Sequence, residues 1–285
     1  MKPDMIRTED TIREFWHFNA GKVYIAFSGG RDSLVLSHLV KQLFPEVPTV
    51  YCHTGLEYPE VHQAGMKADV ILHPTMTFKD VIDKYGWTVV SKDQSQKIEE
   101  YRNTKSDKLR DIRWNGVRRN GGKMLTGKIA EKWKPLVEAP FKITSKCCDV
   151  FKKNPSKKYE KISGRFPYTG ERAEEGMNRR GKPCNSFGAR PKSKPLNHWT
   201  LENVKWYMSE HGLTAPAVYY DREIDGQLVK GEERTGCMFC MIGAHKKEDE
   251  KYEKMKIAYP KQYKYIMEKL GGAEVLDYVK ATERP

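Results

Sequence analysis

The stretch Ser28-Gly29-Gly30-Arg31-Asp32-Ser33 constrains the fold of this chain more than any other, because of what stands on either side of it. Val23-Tyr24-Ile25-Ala26-Phe27 is a short apolar run with the length and the β-branched, aromatic character of a buried strand. Leu34-Val35-Leu36-Ser37-His38-Leu39-Val40 has the spacing of a helix with one apolar face. The pattern is strand, glycine turn, helix. Two adjacent glycines permit a tight turn and leave backbone N–H groups uncovered by any Cβ. A helix that begins near Asp32 directs its positive end at the same point, and the hydroxyls of Ser28 and Ser33 add donors. Such a turn suits a pyrophosphate. It lacks the lysine of the GxxxxGK[ST] loop, so it is a phosphate cradle of another kind.

Further strand and helix signals follow. Val47 to His53 reads as a second strand, leading through Thr54-Gly55 to a helix that starts at Pro59. Val70-Ile71-Leu72 reads as a third strand, and Phe78 to Tyr85 as a helix closed by Gly86. Alternation of this kind implies right-handed crossovers and a parallel sheet, with ligands beyond the carboxyl ends of its strands. The glycine-rich hexapeptide resembles the PP-loop, SGGxDS, of the adenine-nucleotide alpha-hydrolase-like superfamily. The expected fold is therefore α/β, a mainly parallel twisted sheet flanked by helices. It spans residues 1–221 with a basic insertion at about 100–134, and a helical, cysteine-bearing extension covers 222–285. The crevice gathers the loop, Thr54-Gly55 and Ser91-Lys92. Trp199 to His211 has helical spacing, and 246–278 reads as two charged helices broken near Gly271-Gly272.

The net charge of +13 is concentrated: residues 102–182 hold 23 Lys or Arg against 9 Asp or Glu, and the rest is nearly neutral. One explanation is a polyanion such as tRNA or DNA, with Tyr101, Trp114, Trp133 and Tyr159 available to stack on bases. The other is a few arginines holding one mononucleotide among solvated lysines. No apolar run approaches the ~20 residues of a membrane span. The first 19 residues are amphipathic and lack a signal-peptide core. The expectation is a cytoplasmic protein with no membrane partner.

Six cysteines stand at 52, 147, 148, 184, 237 and 240. In a reducing compartment, clustered cysteines serve as metal ligands or redox thiols more often than as disulfides. Cys237-Met238-Phe239-Cys240 suits zinc, iron–sulfur or dithiol chemistry. Upstream lie Cys147-Cys148, Tyr168-Thr169-Gly170-Glu171-Arg172, Arg179-Arg180, Pro195-Leu196 with Trp199, and Arg234-Thr235-Gly236. In this order the motifs resemble the phosphoadenosine phosphosulfate reductase family over nearly the whole chain. Within it they are similar to the iron–sulfur type that includes the DNA phosphorothioation ATP pyrophosphatase. The resemblance implies a [4Fe-4S] cluster on Cys147, Cys148, Cys237 and Cys240, with zinc as the alternative and Cys184 competing as fourth ligand. It also implies that Gly170, Arg172, Arg179 and Arg180 serve the nucleotide. Cys52, at the end of a predicted strand, is expected in the core.

Two departures from the family's reductases shape the expected reaction. Those enzymes attack sulfur with a cysteine in a C-terminal tail, and no cysteine follows Cys240 in this sequence. They also carry a degenerate phosphate loop, whereas this one is complete. Both point to ATP with Mg²⁺, cleaved between its α and β phosphates. Ser28, Gly29, Gly30 and Ser33 are then expected on the β and γ phosphates, with Arg31 and Lys92 on the leaving pyrophosphate. Arg172 is expected on an α-phosphate or a second anion, and Asp32 orients the loop or the metal. The expected enzyme adenylylates a substrate for sulfur transfer onto nucleic acid, with a sulfur-donor protein as a further partner. The alternatives are a sulfonucleotide reductase (an oxidoreductase) using an external thiol, and a nucleotide-binding regulatory module with a structural metal site.

Overall fold

The computed structural model describes residues 2–117, 121–176, 179–246 and 248–282. The helices are α1 (Met5–Phe18), α2 (Arg31–Leu43), α3 (Pro59–Gly65), α4 (Phe78–Tyr85), α5 (Lys92–Asn103), α6 (Asp107–Asn115), α7 (Asn154–Ser163), α8 (Leu201–Glu210), α9 (Lys251–Ala258), α10 (Pro260–Tyr263) and α11 (Gly272–Thr282). The strands are β1 (Val23–Ala26), β2 (Thr49–Cys52), β3 (Val70–Leu72), β4 (Val89–Val90), β5 (Phe166–Thr169), β6 (Asn185–Ser186), β7 (Lys192–Ser193), β8 (Arg222–Ile224), β9 (Gln227–Val229) and β10 (Met241–Ile242). The chain divides into two compact units. The first comprises 1–74, 151–220 and 231–235, and the second 75–150, 221–230 and 236–285. The divisions fall after residues 74, 150, 220, 230 and 235, so neither unit is one consecutive segment.

The first unit is built on a sheet in the order β3-β2-β1-β5-β7-β6, parallel throughout except for the antiparallel edge strand β6. The expected α/β class and parallel arrangement are what the structure shows. The order has a consequence for function. From β1 the chain steps outward to β2 and β3, then returns to the other side of β1 as β5. The turn after β1 therefore sits at the topological switch point, where an open parallel sheet has its crevice.

Alternation along the strands assigns the two faces. Val23, Ile25 and Tyr168 join Ile12 and Phe15 of α1, Val35, Leu36, Leu39 and Val40 of α2, and Val204 and Tyr207 of α8 in one buried core. Burial of each such aliphatic or aromatic side chain contributes about 1.5–3 kcal/mol. The hydroxyl of Tyr168 donates to the Ile12 carbonyl at 2.7 Å, satisfying its polar end inside that core. Tyr24, Ala26, Pro167 and Thr169 alternate with these residues and face the other side.

The second unit has smaller pairings: β10 runs parallel to β4, and β8 and β9 form a hairpin through Asp225-Gly226, both with positive φ. The Arg102 guanidinium donates to the carbonyls of Leu136, Val137, Ala139 and Phe141 at 2.6–2.9 Å, pinning the 3₁₀ segment Glu131–Glu138 to α5. Gly271, at φ +75°, makes the expected break before α11. A second break comes at Tyr259, where Pro260 cannot continue the hydrogen-bond ladder and starts a new helix instead.

Candidate active site

Gly30 is the N-cap of α2, so the glycine turn does deliver the chain from β1 into a helix. Gly29 has φ +74°, and a Cβ there would lie 2.2 Å from the Val61 carbonyl oxygen, so only glycine fits. The Ser28 N–H and the Ser28 hydroxyl both donate to Ser33 Oγ at 3.1 Å, and Ser33 Oγ donates to the Gly30 carbonyl at 2.8 Å. The two serines thus hold the loop's shape as well as standing at its mouth. Gly170, the residue after β5, packs so closely that a Cβ would come 3.2 Å from the Asp32 carbonyl.

Behind the loop lies a network of charges. Arg172 is 3% exposed; its Nε donates to Asp32 Oδ1 at 2.8 Å, and its Nη1 pairs with Glu174. Burial pushes the Asp32 carboxyl above its ordinary pKa, and the Arg172 charge works against that rise. Glu175 receives Arg179 and Arg234, while Arg180 is exposed. Arg31 is buried, its guanidinium 4.7 Å from the Tyr219 ring and donating to the Glu233 carbonyl at 2.8 Å. The sequence reading places Arg31 and Arg172 on phosphates. In the structure Arg172 meets Asp32 and Glu174, and Arg31 meets the Glu233 carbonyl while its buried Nε has no hydrogen-bond partner. Thr54 Oγ1 donates to Glu57 Oε1 at 2.6 Å, and Gly55 has φ +74° with open space around it. Lys92 begins α5 in the second unit, just after the Ser91 N-cap and Val90, whose φ of +59° is unfavourable for a β-branched residue.

On the sheet face opposite the core is a cavity of about 420 Å³, lined by Tyr24, Ala26, Pro167 and Thr169 from the sheet and by Lys152, Lys153, Ser156, Lys157, Glu160, Arg190, Pro191 and Lys192 around them. Five of these side chains are basic and one is acidic, so the lining carries a net positive charge. Arg190 pairs with Glu160 and Lys192 with Glu171; burial works against the Glu171 charge, but the Lys192 contact holds its pKa below the ordinary value. Cys52 is half-buried at the cavity's edge rather than in the core. Its thiol lies 3.5 Å from Ser156 Oγ, and burial raises its pKa.

None of the six cysteines forms a disulfide. Cys147, Cys148, Cys237 and Cys240 all belong to the second unit, and Cys184 to the first. Within the second unit both cysteine motifs flank one strand: Trp87 bridges Ile143, four residues before Cys147, and Val89 pairs with Met241, directly after Cys240. The Lys251 ammonium donates to the carbonyls of Cys237 and Cys240 at 2.8 Å each, which ties that turn to α9. Among the described residues, however, no group of three or more His, Cys, Asp or Glu side chains is arranged to hold a metal ion.

The basic block divides into parts. Arg102 and Arg113 are structural, the latter bound to Glu100 and to the Gly127 carbonyl. The Trp114 ring stacks against Tyr101 at 5.0 Å and has the Lys134 ammonium over it at 4.5 Å. Lys105, Lys108, Arg110 and Lys123 are exposed, and Arg118 and Arg119 lie outside the described residues. Sequence reasoning missed Tyr219, Glu233 and Glu175, which meet the loop only through tertiary folding and carry no spacing signal. Lys152, Lys153 and Lys157 were visible only as part of a charge run.

A mainly parallel sheet flanked by helices, with this glycine turn at its switch point, defines an α/β protein of the doubly wound kind. The phosphoadenosine phosphosulfate reductase domain matches residues 22–126 and 64–244, and the chain belongs to that family. It is 31% identical over 77 residues to the adenosine 5'-phosphosulfate reductase of Deinococcus radiodurans, a match covering 26% of this chain and 30% of that relative's length. The crystal structure of phosphoadenylyl-sulfate reductase from Candida auris, a phosphate complex, aligns with a TM-score of 0.42 at 14% identity, over 74% of this chain and 82% of that one. Among the described residues no helix is long and apolar enough to cross a membrane.

Proposed function

We propose that the first unit is the nucleotide site of an enzyme that acts on the α-phosphorus of MgATP, adenylylating a substrate for later sulfur transfer. The observation that carries this reading is the complete glycine-serine loop seated at the switch point, with α2 directly behind it. Aligned N–H groups at a helix start stabilise the charge that develops on a leaving pyrophosphate. In the reaction a substrate oxygen attacks the α-phosphorus. The bond from that phosphorus to the bridging oxygen breaks, and pyrophosphate leaves with the electron pair. Asp32, held by Arg172, orients the loop, and the lysines of the adjoining cavity offset the charge of the substrate.

A second reading is a sulfonucleotide reductase, favoured by the family match and by the name of the Deinococcus relative. There an external dithiol supplies two electrons, and sulfite and AMP are released. Incubation with MgATP, and separately with adenylyl sulfate plus dithiothreitol, distinguishes the two. Pyrophosphate from the first supports adenylyl transfer, and sulfite from the second supports reduction. Nucleotide binding with neither product supports a regulatory module. The [4Fe-4S] cluster on the four thiols of the second unit belongs to the proposal through their donor chemistry alone. Nucleic acid as the acceptor rests on the exposed Lys105, Lys108, Arg110 and Lys123.

A further inference from the structure

We propose that Tyr219 is a phosphate ligand of the loop, its hydroxyl carrying the hydrogen bond of the first N–H of α2 forward to an oxygen of the bound nucleotide; this rests on the nucleotide reading above. The Arg31 N–H, which opens α2, donates to Tyr219 Oη at 3.2 Å. That oxygen also lies 2.5 Å from Thr235 Oγ1. A phenol has two lone pairs and one proton. Either hydroxyl of that pair can be the donor; when Thr235 donates alongside the Arg31 N–H, the phenol's own proton is left for a ligand oxygen. A phenol is protonated at neutral pH in any case, and burial moves its pKa further up.

The position is held from several sides. The Arg31 guanidinium covers the ring at 4.7 Å. The Glu232 N–H donates to the Val218 carbonyl at 2.8 Å, and a Cβ on Gly231 would lie 2.5 Å from the Tyr219 carbonyl, so 231–235 is laid tightly along this turn. Gly30 supplies an independent argument. Its φ of −86° is open to any residue, so its backbone does not require glycine. A Cβ there would instead stand 2.7 Å from Tyr219 Oη and 3.3 Å from Thr235 Oγ1. The second glycine of the loop makes room for a hydroxyl pair supplied from far along the chain.

The test is calorimetric titration of the full chain with MgATP, magnesium pyrophosphate and adenosine, for wild type, Tyr219→Phe and Thr235→Val. Tyr219→Phe keeps the ring over Arg31 and should melt near the wild-type temperature. It should bind MgATP and pyrophosphate roughly tenfold more weakly, as expected for one hydrogen bond to a charged oxygen, with adenosine unchanged. Thr235→Val should shift the phosphate ligands in the same direction. Unchanged MgATP affinity in Tyr219→Phe, or an equal loss for adenosine, overturns the assignment. Failure of the wild type to bind MgATP or pyrophosphate overturns the nucleotide reading itself, a distinct result.

Discussion

Arg172→Met should expose how the loop's aspartate is held. The wild-type guanidinium is 3% exposed and serves Asp32, whose side chain is 24% exposed, and Glu174, which is 49% exposed. Methionine fills most of the volume but leaves Asp32, in a largely dry place, with only the weaker influence of the Arg31 charge. Breaking a buried pair in this way costs about 3 kcal/mol, while the solvated Glu174 contact adds less than about 1 kcal/mol. The sign with pH follows from Asp32. Its pKa is already raised by burial, and loss of Arg172 raises it further, so acidification neutralises the group and narrows the deficit. Urea unfolding of wild type, Arg172→Met, Asp32→Asn and the double variant, at pH 8 and pH 5, measures the coupling. The double variant should recover roughly 2 kcal/mol relative to additivity. An Arg172→Met loss below about 1 kcal/mol, or a deficit equal at both pH values, refutes the argument.

Gly29→Ala should abolish a stable loop, because φ +74° and the 2.2 Å approach to Val61 both forbid it. Gly55→Ala, at the same φ in open space, should cost only about 1 kcal/mol; equal thermal shifts would contradict this. Asp69 accepts hydrogen bonds from the Thr49 N–H, the Thr49 hydroxyl and Lys41, and its pKa is lowered to about 2. Its stabilisation is therefore present above the ordinary carboxylate range and lost as pH falls toward 2. Asp69→Asn should destabilise by about 1 kcal/mol at pH 7, after allowance for solvent screening, and by nothing at pH 2, read from melting curves. Protein purified without oxygen should contain about four irons per chain and lose them in Cys237→Ser; stoichiometric zinc instead, or no metal, removes the cluster from the proposal. If nucleic acid is the acceptor, neutralising Lys105, Lys108, Arg110 and Lys123 together should flatten the salt dependence of tRNA or DNA binding while MgATP affinity stays constant.

Local patterns that depend on neighbours in sequence were legible before any coordinates. The strand–turn–helix at 23–43, the start of α3 at Pro59 and the end of α4 at Gly86 follow from apolar spacing and from glycine and proline chemistry. The parallel sheet followed from alternation. The protein partners of Arg31 and Arg172 were not legible, because the Glu233 carbonyl and Asp32 meet them only through the fold. Gly30 shows the same limit. Its sequence context reads as close approach of a phosphate, whereas the nearest atom in the fold is a phenol oxygen 189 positions further along the chain. Division into units was also hidden, since residues 75–150 join segments more than seventy positions away through β4 and β10.

The most direct test of the central claim is ³¹P NMR of the purified full chain with MgATP. With water standing in for the acceptor oxygen at the α-phosphorus, AMP and pyrophosphate should form together, and both should be lost in Gly29→Ala. Intact ATP under conditions where adenylyl sulfate and a dithiol yield sulfite and AMP would contradict it and establish the reductase reading.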